Sequence, residues 1–226
     1  MVALYRKTQE VTIMQLKGIK ANFLGDSITE GTGVPSKEFT YWNVLKEKYG
    51  LAEARGYGIG GTRIARQQKP TEGKPRQDLD FCSRVDEMDP DADLVVVFGG
   101  TNDFGHGDAP LGAFEDRTPD TFYGACHYLM THLLERYPKA MIVFMTPLHR
   151  AVELKPEKNI PLITYVRIIR EVAEYYGIPV MDLYANSGIQ PQVPIMRETY
   201  APDGLHPNTA GAERIADRLG EFLRSL

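Results

Sequence analysis

Hydrophobic and polar positions along the chain switch repeatedly between a strand pattern and a helix pattern. Ile19 to Leu24 is a short apolar run and predicts a first strand. Thr40 to Gly50 predicts a helix, with Thr40 as its N-cap and Gly50 just past its end. Ala52 to Tyr57 predicts a weaker strand. Leu94-Val-Val-Val-Phe98 is continuously apolar and β-branched, the pattern of a central strand covered on both faces. Thr118-Pro119 opens a predicted helix running to about Tyr137, with Phe122, Cys126, Leu129 and Leu133 on one face. Met141 to Met145 predicts the next strand. Leu162, Val166, Ile169, Ala173 and Tyr176 stripe a helix that ends at Gly177. Pro179 to Asp182 predicts a short last strand. Pro207 opens the final helix, with Ala212, Ile215, Leu219 and Phe222 facing inward.

Strand and helix alternate about five times, which predicts an α/β fold with a parallel sheet and helices on both faces. The expected organisation is one domain over residues 1–226, with 1–18 as an N-terminal extension. Sheets of this kind bind ligands beyond the carboxyl ends of their strands. Residues just after strands are therefore the candidates for function.

After the first strand comes Phe23-Leu-Gly-Asp-Ser-Ile-Thr-Glu-Gly31. Ser27-Ile-Thr-Glu30 fits a capping box, which opens a helix and does nothing more. The same serine could instead be a nucleophile, and that reading needs a base. Of the five histidines, His127 and His132 fall within a helix, while His106 and His149 follow strands. His206 lies three residues after Asp203 and just before Pro207, so a carboxylate at that spacing can bond Nδ1–H and leave Nε2 free. The backbone N–H of Ser27, the glycines Gly60 and Gly61, and the side-chain amide of Asn102 are candidate oxyanion donors.

A rival reading starts from Gly56-Tyr-Gly-Ile-Gly-Gly61, which matches the G-x-G-x-x-G dinucleotide fingerprint and has Asp78 and Asp80 about twenty residues on. The strand before it is short and charged, and Arg63 to Arg76 is too polar and Pro-broken for a crossover helix. No phosphate loop and no G-x-S-x-G elbow is present.

Composition narrows the field. The net charge is -4 on 226 residues and no long single-sign run appears, which argues against nucleic acid or an anionic membrane as the main partner. No apolar run is long enough to cross a bilayer, and the first residues lack a signal core, which predicts a cytoplasmic location. Cys82 and Cys126 follow no metal spacing and read as buried free thiols.

Four blocks resemble those of the SGNH hydrolases, the GDSL esterases and lipases: Gly25-Asp-Ser27, the glycine-rich stretch with Gly61, Gly100-Thr-Asn102-Asp103 and Asp203-x-x-His206. They occur in family order across residues 25–207. The resemblance implies a three-layer α/β/α sandwich with about five parallel strands, flavodoxin-like, and neither metal nor organic cofactor. It implies ester or thioester hydrolysis of a small-molecule substrate, with Ser27, Asp203 and His206 catalytic and Ser27, Gly61 and Asn102 forming the oxyanion hole. Gly56 stands where the family often has Asn. Asp26 and Asp103 read as mainly structural, bonding loop backbone. Together with Gly60 they border the expected pocket; His106 is placed in its lining and His149 is a spare base. Polar walls over residues 63–89, 104–117 and 149–160 favour a small acyl group, such as acetyl on a carbohydrate. A lysophospholipase or thioesterase is the alternative within the class, and an inactive ligand-binding module the alternative outside it. If Ser27 is the nucleophile, its hydroxyl should point to His206 and not to the Glu30 N–H.

Overall fold

A computed structural model describes residues 15–155 and 159–226. Most of the expected extension over 1–18 lies outside the described residues. Its last part is inside, where Leu16 is buried against the first strand's neighbours.

The sheet has five parallel strands in the order β2-β1-β3-β4-β7. They are β1 (Lys20–Gly25), β2 (Glu53–Gly58), β3 (Leu94–Phe98), β4 (Met141–Met145) and β7 (Val180–Met181). Two short strands, β5 (Leu154–Lys155) and β6 (Ile160–Pro161), form a separate antiparallel pair. The helices are α1 (Ser27–Glu30), α2 (Tyr41–Tyr49), α3 (Phe81–Arg84), α4 (Thr101–His106), α5 (Phe122–Arg136), α6 (Leu162–Tyr175), α7 (Leu183–Asn186), α8 (Pro194–Tyr200) and α9 (Thr209–Ser225).

Strand alternation divides the core into two layers. Val95 and Val97 of β3 point to one face, with Leu129 and Leu133 of α5 and Ile169 of α6. Leu94, Val96 and Phe98 point to the other face, with Leu45 of α2 and Ile215 and Leu219 of α9. Each fully buried side chain of this kind stabilises by roughly 1.5–3 kcal/mol. The result is the three-layer α/β/α sandwich, and it explains why β3 shows no polar alternation.

Three boundaries differ from the sequence reading. The helix expected from Thr118-Pro119 begins at Phe122, because the Thr121 hydroxyl accepts the Gly124 N–H and caps it there. The final helix begins at Thr209 with Asn208 as its cap, two residues after Pro207. Asp182 is not in the last strand; its side chain accepts the Ala185 N–H and opens α7. Both cysteines are buried free thiols.

The strand order reverses direction between β1 and β3. Their carboxyl ends lie side by side, with Gly25 paired to Phe98. That switch point is where the crevice of an open α/β sheet opens.

Candidate active site

The turn after β1 places Ser27. Asp26 is the N-cap of α1, its Oδ1 accepting the Ile28 N–H at 3.0 Å. The capping box expected of Ser27 and Glu30 does not form. Glu30 donates its own N–H to the Asp26 carbonyl, and its carboxylate accepts the Gly60 N–H at 2.7 Å and pairs with Arg76. The Ser27 hydroxyl is thereby left out of the cap, and its Oγ lies 3.0 Å from His206 Nε2.

The turn before α9 holds His206. Asp203 Oδ1 accepts the N–H groups of Leu205 and His206, at 2.8 and 2.7 Å, and its Oδ2 lies 2.6 Å from His206 Nδ1. One carboxylate oxygen thus shapes the turn while the other orients the ring. Burial acts to raise the Asp203 carboxyl, but the bonds from His206 and Leu205 outweigh it and hold it below the usual carboxylate range.

Asn102 stands in the first turn of α4, buried, with its amide donating to the Thr62 carbonyl at 3.0 Å. That bond uses one of two amide hydrogens. Gly60 is excluded as an oxyanion donor because Glu30 takes its N–H. The Gly61 N–H has no acceptor among the described residues. Ser27, Gly61, Asn102 and His206 line one cleft of about 540 Å³. His106 also lines it, with its Nδ1 3.3 Å from Arg63 Nη1.

Other candidates lie elsewhere. His149 bonds Glu153 at 2.6 Å, stacks on Tyr184 at 3.9 Å, and is not part of the cleft wall. Asp26 and Asp103 are buried behind the cleft, and neither lines it. Asp103 accepts the N–H groups of Ile64 and Ala65, tying the glycine-rich loop to α4. Burial pushes Asp26 up to about 7 and Asp103 up to about 6. The acids of the dinucleotide reading have other work. Asp78 receives Arg63 and Thr71, and Asp80 caps α3 through the Ser83 N–H.

Gly56, where the family often has Asn, meets the Trp42 ring: a Cβ there would lie 2.5 Å from it. The missing side chain gives Trp42 its berth, from which the indole N–H donates to the Thr29 carbonyl just after Ser27. Sequence reading placed the stretches 63–89 and 149–160 in the pocket wall but singled out neither Arg84 nor Arg150. Arg84 is buried and donates to the carbonyls of Gly25 and Tyr57 and to the Thr62 hydroxyl. Arg150 and Lys155 line the cleft itself. A charged residue in a polar stretch carries no pattern that separates a buried tie from a solvated surface.

Strand order, glycine-rich loop and strand-end residues define the SGNH hydrolase fold. The profile of the GDSL-like Lipase/Acylhydrolase family matches residues 23–214, and the chain belongs to that family. It is 28% identical to the GDSL lipase Rv0518 of Mycobacterium tuberculosis, covering 88% of this chain and 79% of that protein. A crystal structure that is 37% identical superposes with a TM-score of 0.81, covering 94% of this chain and 99% of the other. A Lactobacillus plantarum protein structure, 29% identical, also gives a TM-score of 0.81, covering 92% of this chain and 98% of the other.

Proposed function

We propose that this chain is a serine esterase that releases small acyl groups from carboxylic esters through an acyl-enzyme. The observation that carries the reading is the continuous line from Ser27 Oγ to His206 Nε2 and from His206 Nδ1 to Asp203 Oδ2, at 3.0 and 2.6 Å. In this mechanism His206 takes the hydroxyl proton as Ser27 attacks the acyl carbon. Asp203 holds the ring and stabilises the imidazolium. The N–H groups of Ser27 and Gly61 and the Asn102 amide receive the oxyanion. His206 then gives its proton to the leaving alcohol, and a water deacylates Ser27 by the same route in reverse.

The cleft supports a small acyl group, such as acetyl on a carbohydrate or another small molecule. Most of the side chains that line it are polar or charged, with Leu205 the one large aliphatic residue among them.

Hydrolysis of para-nitrophenyl acetate tests the reading, together with labelling by a fluorophosphonate probe. Ser27→Ala should lose about 10⁴-fold or more in kcat and all labelling. A variant as active as the wild type removes Ser27 from the chemistry. A wild type that neither turns over esters nor takes the label is a binding module. A series of longer esters should fall in kcat/KM beyond the shortest chains; a rise would point to a lysophospholipase or thioesterase.

A further inference from the structure

The cleft carries a charge that triad chemistry does not use. Arg150 and Lys155 line it, and among the described residues no Asp or Glu does. Arg150 is fixed in place. Its Nη1 donates to the Thr101 carbonyl at 2.8 Å and to the Thr101 hydroxyl at 3.2 Å. Its guanidinium lies over the Phe104 ring, 5.1 Å from the centroid. Its backbone N–H donates to Glu153, and the next residue, Ala151, donates to the Gly204 carbonyl within the Asp203–His206 turn. The arginine is therefore locked between α4, which carries Asn102, and the turn that carries His206.

What the guanidinium leaves open is specific. Nε–H and Nη2–H have no acceptor among the described residues, and these two form the side edge of the fork. That edge matches the two oxygens of one carboxylate. Lys155 donates to the Gly105 carbonyl and likewise has no ion-pair partner among the described residues. The carboxylates whose field Arg150 feels are Asp26, Glu153 and Asp203, and none stands within ion-pair distance of it. Each is already engaged, with the Ile28 N–H, with His149 and Tyr184, and with His206. These charges act on Arg150 only from a distance, and a half-buried cation without a direct ion-pair partner gains from a bound anion.

We propose that the cleft selects esters of small carboxylate-bearing molecules, with the substrate carboxylate seated on the Nε–Nη2 edge of Arg150 and Lys155 beside it. The inference rests on the esterase reading, because it assigns a substrate class to the same site. Arg150 and Lys155 are then specificity-determining residues, separate from the groups that move protons.

The test compares para-acetoxybenzoate with para-acetoxybenzamide, each corrected for its spontaneous hydrolysis. The wild type should favour the anion by about tenfold or more in kcat/KM. In Arg150→Gln the ratio should fall to near unity, in Lys155→Gln it should fall part of the way, and Arg150→Lys should restore part of it. A ratio removes any loss common to both substrates, so a merely structural role for Arg150 leaves it unmoved. Added salt should lower the ratio in the wild type without any substitution, because screening weakens charge recognition. A wild-type ratio at or below unity overturns the inference, as does one that survives Arg150→Gln. Calorimetric binding of the two compounds to Ser27→Ala separates the two readings. Preferential binding of the benzoate without wild-type turnover would sink the esterase and keep the carboxylate seat. Equal binding with normal turnover would do the reverse.

Discussion

Gly33 shows how little room surrounds the general-base candidate. Its φ is +98°, in the left-handed region. A Cβ there would lie 2.4 Å from the Pro207 carbonyl oxygen and 3.1 Å from His206 Cβ. The neighbour it would strike is backbone, which cannot swing aside. Gly33→Ala should therefore displace His206 from Ser27 and lower kcat on para-nitrophenyl acetate by about 10²-fold, since misplacement of about 1 Å costs that much. Circular dichroism should show the fold retained. An unchanged kcat would mean that the turn absorbs the methyl group and that the 3.0 Å contact is not held by this loop. At this scale Asp26 and Glu30 also divide their labour: one caps α1, the other fastens the glycine-rich loop, and between them the Ser27 hydroxyl is free to meet a base.

Among the elements, the carboxyl ends of β1 and β2 are stitched together by one side chain. Arg84 reaches from α3 to the carbonyls of Gly25 and Tyr57, and burial draws its guanidinium down to about 10, still charged at neutral pH. Arg84→Met should lower unfolding stability by about 3 kcal/mol, because buried acceptors lose a charged donor together. Denaturant melts would read this, and a loss below about 0.5 kcal/mol would mean water takes over the bonds. Such ties were not legible in the sequence, where Arg84 falls within the expected wall 63–89 among Ser83, Asp86 and Glu87 and nothing marks it as buried. The long elements were legible because their apolar periods extend over several turns or a whole buried strand, as in β3 and α6. The short ones were not: α4, α7, α8 and the β5–β6 pair are set by caps and tertiary contacts rather than by period. The strand-end blocks stood out because a parallel sheet gathers distant segments at one edge. Arg150 and Lys155 fall within the expected wall 149–160 but were not singled out there, since nothing in a loop's composition says which way a cation points.

For the molecule as a whole, two buried carboxyls with strongly raised values make stability respond to pH, and Asp80, also raised by burial, acts in the same sense. Asp26 goes from an ordinary value of 3.8 to about 7, and Asp103 from 3.8 to about 6. In the window between, the unfolded chain has released protons that the folded chain still holds, so stability falls as pH rises and levels off above about 7. Asp203 and Asp78, held low, act in the opposite sense, and their contribution is lost only as pH falls below about 3.8. Asp26→Asn keeps an oxygen for the Ile28 N–H while removing the charge. It should flatten the decline and raise stability on the order of 2 kcal/mol near pH 8. Urea melts across that range would check it, and an undiminished slope would assign the effect elsewhere. The pairing of Ser27 with His206 spans 179 residues of chain. During synthesis Ser27 emerges long before His206, and a chain that stops short of His206 leaves the hydroxyl without that imidazole beside it. On the esterase reading, reactivity toward a fluorophosphonate requires the turn that carries His206 to have met Ser27, so the label should report completed assembly rather than the presence of polypeptide.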